Sequence, residues 1–332
     1  MADVSWSRCG GGDCIRLRGL DPAAQVQVRP AAAVAGQVPP MAGRLVRDGD
    51  DLCFVPRFAF IDGTAYTVVV AGAAAAVLVR PRPDRPATTE VLGIRPTAVE
   101  VPRNLLRFYV WFSAPMSEGY AAGHVQLADD TGQTMTGALL PTEHDLWDGT
   151  RRRLTVLLDP ARIKRGLAGH RQAGYPLRPG ESFRLVVRDG FRDARGCPLR
   201  GGAERRYQVT ALERRRVEPG SWILTVPSAG SREPLNVGFG RPLDHGLLAR
   251  CLHVVGPDGA LVDGTSQAGP QERSWRLAPR QAWAPGSHQL LVDPVLEDLA
   301  GNSVSRVFDR DLARPEDDPR KSRPVTVPFR PR

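Results

Sequence analysis

A spacing that occurs twice constrains this chain more than any other feature. Phe54-x-Pro56-Arg57-x-x-Phe60-x-x-Gly63-Thr64 is matched by Leu277-x-Pro279-Arg280-x-x-Trp283-x-x-Gly286-Ser287. Leu177-x-Pro179-Gly180-x-x-Phe183-x-Leu185-x-Val187 repeats the turn-then-strand half. Phe112-Ser113-Ala114-Pro115-Met116 is echoed by Phe239-Gly240-Arg241-Pro242-Leu243, and Asp193-Ala194-Arg195-Gly196-Cys197 by Asp298-Leu299-Ala300-Gly301-Asn302. These are the parts of a β-sandwich. An aromatic before the turn plugs one end of a core, glycine permits the reversal, and the next strand alternates inward and outward. The Asp of each closing turn is placed to accept from backbone N–H groups two residues on, with Gly and Asn tolerating positive φ.

Composition agrees. With 30 prolines and 34 glycines in 332 residues, long helices are disfavoured, while 42% hydrophobic content supports a folded chain. The fold class is all-β, in tandem Greek-key sandwiches with little helix. In residues 1–88 the alternating runs are CIRLRGL, AQVQVRP, RLVRDGDDLCFVPRF and TAYTVVVAG, and Pro81–Pro86 reads as a linker. In residues 89–214 the strongest strand is Leu105–Phe112, with Leu106, Phe108, Val110 and Phe112 on one face and Arg107, Tyr109 and Trp111 on the other. A hairpin follows around Asp130–Gly132. Asp159-Pro160 then opens a short basic helix, Pro160–Leu167, with Ile163 and Leu167 inward. Residues 215–332 hold six strand patterns, a polar tail at Pro315–Arg323 expected to be mobile, and Val325–Phe329 as a last edge strand.

On these motifs the second and third segments resemble bacterial Ig-like domains of the S-layer (SbsA) type, which run from an Fs.P strand to a D..GN ending. The resemblance implies seven-stranded sandwiches of exported or surface proteins, used as spacers or binding modules. It covers roughly residues 90–310; DARGC is a degenerate ending. Residues 1–88 share only the PRxxFxxG[TS] half and are expected to be a partial or divergent Ig-like domain.

Charge and cysteines exclude some function classes. The formal charge of +9 is carried almost wholly by arginines scattered among acids, so it makes no specific nucleic-acid signal. The run Arg214–Arg216 is expected to be a solvated connector. Cys9, Cys14, Cys53, Cys197 and Cys251 form no disulfide framework, with Cys9–Cys14 the only sequence-local candidate pair. A CxxxxC pair without a second half is poor evidence for zinc. The start lacks a basic-then-apolar signal, and Ala71–Val79 is too short to span a bilayer. An exported or surface location therefore rests on the resemblance.

Three clusters offer chemistry. Glu143, His144, Asp145 and Asp148 beside Trp147 combine a base, carboxylates and an aromatic platform. The alternative for this loop is a hairpin tip whose Trp folds back onto the sandwich. Arg162, Lys164 and Arg165 lie near a helix start and suit an anion, or else the helix caps the sandwich. Glu297, Asp298 and Asn302 present hard oxygens to Ca²⁺, against which stands a plain Asx turn. The six histidines are dispersed, Asp244-His245 has no nucleophile beside it, and no catalytic motif or cofactor loop occurs. The sequence therefore points to a non-catalytic array that binds a protein or glycan through domain-end loops, without a cofactor. The alternatives are a divergent hydrolase using the Glu143–Asp148 loop, or an anionic-polymer binder through surface arginine.

Overall fold

A computed structural model describes residues 3–9, 12–21, 23–31, 40–81, 86–142, 144–311, 313–319 and 323–332. Most of the expected linker, residues 82–85, lies outside the described residues. The chain forms two compact units, Met1–Pro86 and Ala87–Arg332.

The first unit contains β1 (Asp3–Cys9), β2 (Gly12–Arg18), β3 (Val26–Pro30), β4 (Gly43–Asp48), β5 (Asp51–Pro56), β6 (Ala65–Val70) and β7 (Ala73–Val79). One sheet runs β1-β2-β5-β4 and the other β3-β6-β7, which is the constant-type immunoglobulin order. Alternation puts Ile15, Leu17, Leu52, Phe54, Tyr66 and Val68 between them, and Phe60 of the recurring turn closes the core. Two strands of this unit escaped the sequence reading. In β1 polar residues alternate with Val4 and Trp6. In β7 an alanine-rich run, which has no polar partner face, is an edge strand paired with β6.

In the second unit, the strands up to residue 210 are β8 (Val91–Arg95), β9 (Glu100–Pro102), β10 (Arg107–Phe112), β11 (Val125–Asp129), β12 (Leu146–Trp147), β13 (Arg153–Leu157), β14 (Ser182–Val187) and β15 (Ala203–Thr210). Those beyond are β16 (Ile223–Thr225), β17 (Leu235–Gly238), β18 (Leu252–Val255), β19 (Gly264–Ala268), β20 (Ser274–Pro279), β21 (His288–Val292) and β22 (Val325–Phe329). The sheets are β12-β13-β10-β8 against β11-β14-β15-β9, and β16-β17-β20-β19 against β18-β21-β22. With the short β9 set aside as an addition parallel to β15, both pairs repeat the connectivity of the first unit. The strand order is thus Ig-like in all three sandwiches.

Each of the two later sandwiches has its own core. The first gathers Phe108, Val110, Phe112, Phe183 and Leu185; the second gathers Val237, Trp275, Leu277, Trp283 and Leu290. Leu299 and Phe308, from beyond residue 215, pack on the first of these cores. As expected, Val325–Phe329 pairs as an edge strand.

The basic helix is shorter than read. α1 is Ala121–His124, and Asp159 does N-cap the next helix by accepting from Ala161 N, but α2 ends at Ile163. Lys164 turns extended and a second helix, α3 (Ala168–Ala173), follows, so Ile163 is buried while Leu167 is exposed. The tail is also more ordered than polarity suggested. Pro315–Asp317 form a 3-10 turn with Asp317 buried, because its carboxylate accepts from Arg214 Nη2 at 2.7 Å and from Asp311 N at 2.9 Å. Arg214 is consequently drawn out of solvent, contrary to the solvated connector expected. Residues 320–322 are outside those described.

Candidate functional site

The loop after Pro141 spends its polar atoms on its own backbone. Glu143 lies outside the described residues, and His144 is exposed. Asp145 Oδ2 accepts from Gly119 N at 2.8 Å and from the Trp147 indole N–H at 3.3 Å. The Trp147 ring packs 5.7 Å from Phe112 and 6.0 Å from Phe191, folding back onto the core. Asp148 accepts from Thr150 Oγ1, Arg152 N and Arg153 N at 3.0–3.2 Å. Burial alone would raise its pKa, and these donors outweigh burial and hold it below the ordinary carboxylate value. Beside the loop runs a groove of about 260 Å³ lined by Ala121, Val125, Leu139, Leu146 and Leu154.

The basic residues of the α2 region are equally engaged. Arg162 donates to the carbonyls of Gly137, Ala173 and Gly174, tying α3 to the sandwich. Lys164 Nζ sits 4.6 Å from the Phe308 ring centroid, and Arg165 pairs with Asp309 at 2.7 Å and with Asp311 at 3.7 Å. The three cations therefore do not converge on one point.

The two closing turns share one geometry. Asp193 Oδ1 accepts from Arg195 N and Cys197 N at 2.9 and 3.0 Å. Asp298 Oδ1 accepts from Ala300 N and Asn302 N, both at 2.9 Å. Gly196 and Gly301 take φ near 80°. Met116 of the first F-x-x-P element bridges to Asp193, and Leu243 of the second bridges to Asp298. The remaining Asp298 oxygen takes Asn302 Nδ2 at 3.0 Å and Arg241 at 3.2 Å, and Glu297 ion-pairs with Arg107. Glu297, Asp298 and Asn302 thus face cations and N–H groups rather than a common centre.

The densest electrostatics lie where the second and third sandwiches meet. The outer face of β10, expected to be simply opposite the core, contacts α4 (His245–Leu248) and its N-cap Asp244. Tyr109 OH lies 2.9 and 3.0 Å from the two Asp244 oxygens, Arg107 lies 3.4 Å from Asp244, and Trp111 packs edge-on against His245. Glu272, almost wholly buried, accepts from Thr97 N (2.7 Å), Thr97 Oγ1 (2.9 Å) and Ala98 N (3.1 Å), with His245 Nδ1 at 3.2 Å and Arg95 at 3.8 Å. Burial would raise Glu272, but His245 and Thr97 prevail and lower it. Burial raises Asp244 and Glu297 against the opposing pull of Arg107. Asn104 and Glu213 exchange hydrogen bonds at 2.7 and 3.1 Å, Asn302 Nδ2 also reaches the Glu213 carbonyl, and Arg241 pairs with Glu213 at 3.0 Å. Leu106 N donates to Leu299 O at 2.9 Å. Single-sequence reading named Asp244-His245 but missed Glu213 and Glu272. Each is an isolated acid in sequence, and only the packing of two sandwiches gives it partners.

Among the described residues, one grouping brings metal-ligand side chains within reach of each other: Cys9, Cys14 and Cys53 of the first unit. The sequence showed a pair without a second half because the third donor comes from a strand 39 residues on.

No protein-family model and no curated protein sequence matches this chain. Solved structures similar to it include native alpha-2-macroglobulin from Escherichia coli spanning domains MG0-NIE-MG1, at 12% identity over 74% of this chain and 72% of that one, TM-score 0.25. A titin I9–I11 tandem is 10% identical over 86% and 89% of the two chains, TM-score 0.18. The titin domains z1z2 in complex with telethonin are 13% identical over 63% and 90%, TM-score 0.20. The Ig-like assignment stands on the strand order itself.

Proposed function

We propose that the chain is a non-catalytic, multi-domain Ig-like structural and binding protein, divided near residues 88 and 214, that recognises a protein partner through domain-end loops. The observation that carries this reading is the seam. Asp244, Glu272 and Glu297 of the third sandwich spend their hydrogen-bonding capacity on Tyr109, Thr97, Ala98 and Arg107 of the second, holding the two β-sandwiches as one compact unit. Such an arrangement supports a spacer, with recognition left to loops. The groove beside Leu139–Leu146 is lined mainly by apolar side chains, with Thr142, Asp145 and Thr155 among them, and Leu146 is exposed. Because Trp147 is committed to the core, the loop offers no free aromatic face for a sugar ring, which favours a protein over a glycan. The paired closing turns support the S-layer-type resemblance for the second and third domains.

The test is a displayed peptide library panned against the full chain, with glycan, ester and heparin panels run beside it. Leu146→Asp is expected to weaken binding of the selected peptides by at least about tenfold. Peptides indifferent to Leu146→Asp would remove the groove from the reading. Wild-type turnover lost in Asp145→Ala or Asp148→Ala would replace it with a hydrolase, and steeply salt-dependent heparin retention would replace it with an anionic-polymer binder.

A further inference from the structure

The outer face of the β1-β2-β5-β4 sheet carries three cysteines. In its register Cys9 faces Gly12, Ser7 faces Cys14, and Arg16 faces Cys53. Residues facing each other across antiparallel strands, and residues two apart along one strand, share a side of the sheet. Cys9, Cys14 and Cys53 therefore project together from β1, β2 and β5, on the side opposite Ile15, Leu17, Leu52 and Phe54 of the core. All three are free thiols; Cys14 and Cys53 are buried, and Cys9 is half-buried. Their sulfurs lie within 4.8 Å of one another, with Cys9 and Cys14 Sγ 3.0 Å apart.

A disulfide accounts poorly for this arrangement. It would join two sulfurs and leave the third buried beside them. Cys9 and Cys14 are diagonal neighbours, as are Cys14 and Cys53, and diagonal Cβ atoms sit farther apart than the roughly 3.5–4.5 Å a disulfide prefers. One ion reaches further. Metal–sulfur bonds of about 2.3 Å place the sulfurs of a shared ion about 3.8–4.0 Å apart, so Cys9 and Cys14 would open from 3.0 Å on binding while all three stay within the 4.8 Å they already span.

We propose that Cys9, Cys14 and Cys53 form a binding site for a soft, thiophilic d¹⁰ cation of the zinc and cadmium class. Asp48 Oδ2 lies 4.0 Å from Cys9 Sγ, at the edge of the trio. Arg16 fixes that carboxylate at 2.5 Å, holds Asp51 at 3.0 Å and Ser7 Oγ at 3.2 Å, and supplies positive charge next to an anionic tris-thiolate. Without an ion the thiols carry protons at neutral pH, as cysteines ordinarily do. Binding is then an exchange. Each S–H bond breaks as a sulfur–metal bond forms, the protons pass to solvent, and apparent affinity rises with pH. Half-buried Cys9 provides the way in.

The experiment uses the full chain, reduced and stripped of metal, titrated with Cd²⁺ alone and then with Zn²⁺ alone. One equivalent of Cd²⁺ is expected to give thiolate-to-cadmium charge-transfer absorption, to release protons, and to protect Cys9, Cys14 and Cys53 from alkylation while Cys197 and Cys251 react on unfolding as before. Zn²⁺ should displace the cadmium signal. Cys14→Ser and Cys53→Ser should each weaken binding by more than about tenfold, and Cys197→Ser and Cys251→Ser should leave it unchanged. Alkylation is read on the wild type, so the site stays testable even where a serine variant fails to fold. Absence of protection at micromolar Cd²⁺, protection confined to Cys197 or Cys251, or a Cys9–Cys14 disulfide in protein isolated without reductant would overturn the proposal.

Discussion

Asp193 and Asp298 hold the same turn in two sandwiches, yet Asp298 also faces Arg241 and a second carboxylate, Glu213, across the seam. Burial, opposed by Arg241 and the Asn302 donors, raises Asp298 to about 7. An acid raised on folding contributes stability that is fully present below its unfolded value near 4 and lost as pH rises through its folded value. Asp298→Asn cannot titrate there. The stability of wild type relative to this variant, from urea titrations, is therefore expected to fall between about pH 4 and pH 7, and a flat difference would contradict the assignment. Glu213 runs the other way. Burial would raise it, but Arg215 and Arg241 prevail and lower it from 4.5 to about 2, so its contribution is present above 4.5 and lost as pH falls through 2. Glu213→Gln should cost about 2–4 kcal/mol at pH 7, and the difference should vanish in acid. Gly301 combines φ of 78° with a position where an added Cβ would meet Leu106 Cδ2 at 2.7 Å. Gly301→Ala is expected to destabilise by about 2–4 kcal/mol in the same titrations.

β10 shows what an element reveals in sequence and what it withholds. The alternation of Phe108, Val110 and Phe112 with Arg107, Tyr109 and Trp111 was readable from period two alone, and the core face is as expected. The destination of the other face was not, because Asp244 and Glu297 lie far away in sequence and approach only when the second sandwich docks. The closing turns were readable for the opposite reason: donor and acceptor are two to four residues apart. β7 was missed because alanine carries little face signal, and the Pro160–Leu167 helix was overextended because its stop, at an extended Lys164, has no proline or capping glycine at that position. The two faces of β10 should respond differently to substitution. Phe108→Ala should cost about 3–5 kcal/mol by emptying core volume, and Tyr109→Phe about 1–3 kcal/mol by removing a donor from buried Asp244. Equal and negligible effects on thermal unfolding would contradict the assignment of both faces.

At the scale of the molecule, the tandem Ig-like architecture was legible because the repeated spacing encodes strand, reversal and strand locally. Less legible was the coupling of the second and third sandwiches into one unit, Ala87–Arg332, through ion pairs and hydrogen bonds. At residues 142–148 the sequence anticipated that Trp147 folds back onto the core, but Leu146–Trp147 form strand β12 and the hairpin turn falls at residues 148–152. The cysteine trio required strand register. Among the described residues no helix is long and apolar enough to cross a membrane. If the seam joins the two sandwiches energetically, they open together. The direct measurement is amide hydrogen exchange on the full chain, comparing the slowest amides of β10 and β14 with those of β20 and β21, in wild type and in Arg107→Leu, which leaves Asp244 and Glu297 without their shared cation. The expected result is one common opening free energy in wild type and a joint loss of protection of about 3–5 kcal/mol in the variant. Two separate opening energies in wild type, or loss confined to one sandwich in the variant, would contradict it.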